Sequence, residues 1–163
     1  MSNSIAEQIV LEVVSRLEQM TIANSYAFDV ADVSRVQRDG SQWTPKNYSV
    51  AVKEVTDSRI PELDHEGNPP AVAWQLVLEI GGFIRLADRT GTTQQTKLNN
   101  FAASIRKAIT NSATWMEFGS LAVDADFGET QLTESDTGEY SLAIVPLLVV
   151  YRVDETDPFT ARQ

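Results

Sequence analysis

The sequence predicts an α+β fold: a mainly antiparallel sheet with two helices packed on one face, in the order α-β-β-β-α-β-β. Three observations lead there. Two stretches, one near the N-terminus and one at 93–110, repeat apolar residues at helical spacing. The runs between and after them alternate with period two. The chain has 163 residues, 42% of them hydrophobic and 22% charged, which fits a single domain over 1–163 with a core of ordinary size.

The first helix is carried by Ile5, Ile9, Val13 and Leu17, widened by Val10 and Val14, with Glu7, Glu12, Arg16 and Glu18 on the other side. Ser2 or Ser4 could cap it, and Glu7 lies three residues after Ser4, as in a capping box. Leu11 falls near the polar side, a hint of contact on more than one face. From Tyr26 the pattern turns to period two, Tyr26, Phe28 and Val30 alternating with Ala27, Asp29 and Ala31. A second strand starts at Tyr48 after the polar turn "RDGSQWTPKN", and the two read as an antiparallel pair. A long loop follows at 56–71, rich in acids and holding Pro61, Pro69 and Pro70; loops of this length are usually functional or disordered.

The next strand is the clearest. Val72, Trp74, Leu76, Leu78, Ile80, Ile84 and Leu86 hold the even positions, and Ala73, Gln75, Glu79 and Arg85 the odd ones. Gly81-Gly82 interrupts it and implies a bulge, a sharp twist or a close backbone approach. The second helix presents Leu98, Phe101, Ala102, Ile105, Ala108 and Ile109 as one stripe. Two strands close the domain, at 121–127 and 140–153, joined by an acidic connection and followed by an acidic tail at 154–163.

The last strand, "LAIVPLLVVYRV", does not alternate. Its odd positions, Ala143, Val145, Leu147, Val149, Tyr151 and Val153, are apolar; so are Leu142, Ile144, Pro146, Leu148 and Val150. One face covers the helices. The other covers either a neighbouring subunit or more of the same monomer. Pro146 donates no backbone hydrogen bond, which points to an edge position or a bulge.

Charge and composition exclude several functions. Net charge is −10, and residues 111–163 hold ten acids against two arginines. Such a chain repels nucleic acid, so sequence-specific DNA binding is not expected. There is no cysteine, hence no disulfide, thiolate metal site or cysteine nucleophile, and one histidine is too few for a His-rich zinc site. No run approaches the roughly 18 apolar residues that span a bilayer, and the N-terminus lacks the basic region of a signal peptide. The protein is expected to act where it is made, without a membrane partner.

The candidate chemical motifs reduce to plainer readings. Asp124-Ala-Asp126-Phe-Gly128 begins like a calcium loop, but Gly128 stands where a third oxygen ligand is required, and the acids read as a solvated strand face. His65 lies between acids on the long loop, without the rigid nucleophile and orienting carboxylate that a catalytic histidine needs. Gly81-Gly82 has no phosphate-loop context. Asp154 and Glu155 are adjacent acids with no apolar cleft to raise a pKa. Trp43, Trp74 and Trp115 could form a ligand platform, although the parity of Trp74 makes it a core residue. The chain is therefore not expected to be an enzyme, and no cofactor or metal is expected.

Three segments in this order carry a family likeness: "IAEQIVLEVVSRL" followed by "YAFDVADVSRVQRDG"; "AVAWQLVLEIGGFIRL" leading into "LNNFAASIRKAI"; and the closing "LAIVPLLVVYRVDETDPFTAR". Together they resemble the tail terminator (tail completion) proteins of long-tailed bacteriophages. The resemblance covers nearly the whole chain as a pattern of elements and rests on no catalytic signature. It implies a virion structural protein at the tail–head junction, assembled in the host cytoplasm. Such a protein forms a homohexameric ring that caps the tail tube, ends its polymerisation and joins it to the head–tail connector or stopper protein. DNA would pass through without specific binding. The subunit contact would use Val145, Leu147, Val149, Tyr151 and Phe159. Asp124, Asp126, Asp154, Glu155 and Asp157 would be lumen or rim acids, and Ile60, Leu63 and His65 a docking surface. Two alternatives stay open: another neck component such as a stopper or head completion protein, and a cytoplasmic α/β module that binds a small ligand.

Overall fold

A computed structural model describes residues 3–35, 44–85, 92–135 and 138–162. Trp43 lies outside the described residues. The fold is α+β as expected: two helices and one mostly antiparallel sheet of seven strands. In chain order the elements are α1 (Ile5–Glu18), β1 (Asp32–Arg35), β2 (Ser49–Arg59), β3 (Ala71–Arg85), α2 (Thr92–Thr110), β4 (Asp124–Phe127), β5 (Gln131–Glu134), β6 (Tyr140–Asp154) and β7 (Asp157–Arg162). The sheet runs β1-β2-β3-β6, and β4, β5 and β7 each pair with a different stretch of the far side of β6.

Both helices form where the apolar spacing puts them. The Glu7 N–H donates to Ser4 Oγ at 3.3 Å, so Ser4 is the cap of α1. Ile5, Ile9, Val10, Val13 and Leu17 are buried, and so is the whole α2 stripe from Leu98 to Ile109. Arg16 ties the two together. Its guanidinium lies over the Phe118 ring, pairs with Glu12 and donates to the carbonyls of Ile109 and Trp115. A buried cation thus satisfies a carbonyl in the last turn of α2, where helices leave acceptors unpaired.

The sheet departs from expectation in four places. First, residues 26–30 form no strand. Tyr26 is buried after a 3-10 turn at Ile22–Asn24, and Phe28 stacks on Tyr48 at 4.6 Å and meets Phe101 edge-on. The alternating aromatics are satisfied by packing alone, and the ladder starts only at Asp32, parallel to β2. Second, β2 extends to Arg59, so the connection is 60–70, not 56–71. It is pinned down: Pro61–Leu63 is a 3-10 turn, His65 and Ala71 exchange backbone hydrogen bonds, and the Asp64 carboxylate accepts from the Ala73 N–H at 2.8 Å. Third, the segment expected as a tail is no free tail over 154–162, because β7 folds back on β6 as a hairpin. Fourth, Gly81 and Gly82 pair with β2 and β6 without interruption, and the only register shift of β2 falls at Glu54/Thr56. The glycine pair is a close approach: a Cβ on Gly82 would stand 2.9 Å from the Phe101 ring.

Candidate functional site

Directly opposed residues in an antiparallel pair share a face. Leu78 opposes Leu147, Ile80 opposes Val145 and Leu76 opposes Val149, so the even residues of β3 and the odd residues of β6 form one surface. Val50 and Val52 extend it across β2, and α1 and α2 cover it. Val145, Leu147 and Val149 are 0% exposed, and Tyr151 is nearly as buried. The expectation that these residues make a subunit contact is therefore corrected. Register with β3 places them under the chain's own helices, where no neighbour can reach them.

The face left open is the even one. Leu142, Ile144, Pro146, Leu148 and Val150 are half-buried, and the same register sets Phe83 beside Leu142 and Val77 beside Leu148. All seven strands lie in this one sheet, and among the described residues both helices pack on its other side. An exposed ion pair, Lys53 with Glu79 at 3.7 Å, joins β2 and β3 on this face, with Glu79 beside Pro146. Asp124 opposes Val150 and Asp126 opposes Leu148, so these two exposed acids edge the same strip.

Pro146 is tolerated for a specific reason. β6 is interior to the sheet, not an edge, but Pro146 falls between the stretch paired with β4 and the stretch paired with β5. Its carbonyl accepts from the Gly128 N–H at 2.9 Å, which shows that its backbone points outward to the crossing chain at 128–130. The missing N–H is therefore lost at a gap and not from the β3–β6 ladder. Gly128 is needed there, since a Cβ would meet Pro146 Cβ at 2.9 Å.

The remaining expected residues divide. Phe159 is 47% exposed on β7 and free to meet a partner. Asp154 is buried and not a rim acid: its carboxylate accepts from the Thr156 N–H and hydroxyl and from Arg162, and these bonds, led by the backbone one, hold its pKa below the usual carboxylate range. Asp157 is likewise used locally, accepting from the Phe159 N–H and the Thr160 hydroxyl, whereas Glu155 is exposed at the turn. Leu63 and His65 are exposed, and Ile60 is partly covered. They share the pinned connection, whose Leu63 carbonyl accepts from Arg152 Nε.

At the end of the covered face the Tyr151 hydroxyl meets both Asp57 carboxylate oxygens, at 3.0 and 2.9 Å. Burial raises the pKa of Asp57, with the Tyr151 hydrogen bond opposing, and burial together with the carboxylate raises that of Tyr151. The sequence expected a second face to be covered but assigned the contact to the wrong parity, because both parities of β6 are equally apolar. The signal that could have found it was weak: Val77 and Phe83 interrupt the otherwise small and polar odd positions of β3.

No protein-family model matches the sequence, and no curated protein matches it. Among solved structures the chain is similar to one described as "Virion of native gene transfer agent (GTA) particle", at 9% identity and a TM-score of 0.43, covering 92% of each chain. A likeness of that size carries no weight for function.

Proposed function

We propose that this chain is a non-enzymatic structural protein of a phage-like virion, one that closes on copies of itself to form a ring capping the tail tube at the junction with the head connector. The observation that carries the reading is the open sheet face. Five apolar residues of one strand, with Val77 beside them, stand without a covering layer among the described residues. Contiguous apolar surface of this kind marks an interaction site. Copies of the same chain are the most economical cover, as in homo-oligomers whose contacts resemble a core cut in two. The family resemblance of the helix, strand and closing segments supplies the tail-terminator role and the homohexamer. The acids of 111–163 suit a passage that must not hold phosphate.

Light scattering and sedimentation across a concentration series test the reading. The wild-type chain associates, and Leu148→Lys, at the centre of the strip, returns it to a monomer without unfolding it. A chain that stays monomeric at every concentration, and also alongside tube and connector proteins, would sink the proposal. Electron micrographs of particles made without the protein separate the neck positions: loss of a terminator gives overlong tails beside full heads, and loss of a stopper does not.

A further inference from the structure

The turn that follows α2 carries an exposed tryptophan on an unfavoured backbone. Trp115 lies at φ 45°, in the left-handed region that bulky side chains avoid. It is 64% exposed, the highest value for a large apolar residue among the described residues. Phe118 and Ser120 share the same region, at φ 48° and 68°. Smaller side chains of the turn point inward: Met116 packs on the core and Phe118 is sealed in it, while the largest one faces water. Strained backbone of this kind persists where it positions a group for use. The Trp115 carbonyl accepts from Arg16 of α1, as does that of Ile109, so the turn belongs to the helix layer. The apolar strip from Leu142 to Val150 lies on the other side of the sheet.

Charge distinguishes the two places as well. Among the described residues, two kinds of group on α2 stand without a counterpart. The Gln94 carboxamide is sealed from solvent with neither end paired, so no second molecule reaches it. In the last turn, beside Trp115, Lys107 is exposed and Arg106 half-buried. Arg106 donates to the Thr130 hydroxyl, and Lys107 donates to the Ser25 carbonyl and lies over the Tyr26 ring; neither meets a carboxylate. α2 holds no acid, in a chain of net charge −10. Across the sheet Asp124 and Asp126 edge the strip, both exposed and, among the described residues, neither paired with a base. A tryptophan flanked by cations on one side of the molecule thus complements an apolar strip edged by carboxylates on the other. Patches on opposite sides of one molecule make a head-to-tail contact, which closes into a ring or runs on as a filament. We infer that the Trp115 turn of one copy seats on the β6 strip of the next, with Arg106 and Lys107 beside that copy's Asp124 and Asp126. This inference rests on the self-association proposed above and names the surface that covers the open face.

Sedimentation and thermal unfolding of the wild type, Trp115→Gly, Trp115→Ala and Leu148→Lys, alone and mixed, test it. Glycine fits the left-handed backbone, so dilute Trp115→Gly unfolds no earlier than the wild type. Both Trp115 variants nevertheless weaken self-association about thirtyfold or more. An equal mixture of Trp115→Gly and Leu148→Lys reads the direction of the contact. The first keeps a sound strip and the second a sound turn, so each alone is a monomer and the two together stop at a heterodimer. A Trp115→Gly chain that associates like the wild type overturns the turn contact and leaves the ring to another surface. A mixture that stays monomeric at concentrations where the wild type associates overturns it too. So does a Tm lower by about 4 °C or more in both Trp115 variants, because the indole would then serve its own fold. A wild type that never associates, alone or alongside tube and connector proteins, overturns both readings.

Discussion

The two faces of β6 carry side chains of the same kind, yet they live in different surroundings. Val145, Leu147 and Val149 lie under two helices and are sealed from water. Ile144, Pro146 and Leu148, one residue away in each case, are half-buried, with sheet neighbours, the Gly128 crossing and two exposed aspartates beside them among the described residues. Hydrophobicity alone does not distinguish them. What differs is which residues of β3 they oppose, since register decides which parity the helices cover. An apolar strand with no alternation therefore states that two surfaces must be covered, without saying by what.

The comparison can be broken most directly by truncation. Leu147→Ala should cost the free chain about 3 kcal/mol, the usual toll of a cavity in a sealed core. Leu148→Ala should cost under about 1 kcal/mol, because its surroundings are already half open. Urea unfolding of dilute protein measures both; equal losses would mean that the even face is covered within the monomer. The glycines repeat the contrast on a smaller scale. Gly82→Ala drives a methyl into the Phe101 ring at 2.9 Å and should cost about 2 kcal/mol. At Gly81 the nearest atom is Phe83 Cε2 at 3.2 Å, the far end of a side chain on the open face, and Gly81→Ala should stay within about 0.5 kcal/mol of wild type.

Tyr151→Phe tests the end of the covered face and should cost about 1 kcal/mol, the net worth of a hydrogen bond. It should also raise the pKa of Asp57 further, visible in a carboxylate NMR titration, since the bond it removes favours the ionised form. Acid gives the smallest and least local effect. Asp64 and Asp154 have folded pKa values below their unfolded ones. Their contribution is complete above an unfolded value of about 3.9 and is lost as pH falls through the folded pKa. Asp57 shifts the opposite way, so its contribution is largest while protonated and declines as pH rises through its raised pKa. The Asp154→Asn variant should therefore show a shallower loss of stability below about pH 4 in an acid unfolding series.

Much of the fold was legible. The helical stripes of α1 and α2, the Ser4 cap and the even-parity core of β3 follow from spacing alone, because each has one wet side and one dry side. The strand expected at 26–30 failed because aromatic alternation satisfied by ring packing looks the same as alternation satisfied by a ladder. The acids of 154–157 read as a charged tail because turn-forming aspartates, bonded to N–H groups two residues ahead, have the composition of a solvated segment. Gln94 gave no sign at all; a glutamine in the first turn of a helix is ordinary until its burial is known.

The sequence by itself determined the class of the fold, the two helices and their buried stripes, and the surplus of apolar surface on the last strand, since each depends on residues near one another along the chain. Only the tertiary structure decided which parity of β6 is sealed, why Pro146 is harmless, and that a carboxamide on α2 is buried without a hydrogen-bond partner among the described residues. Those outcomes depend on register between β3 and β6, distant in sequence, and a shift of one residue in that pairing would exchange the sealed face for the open one.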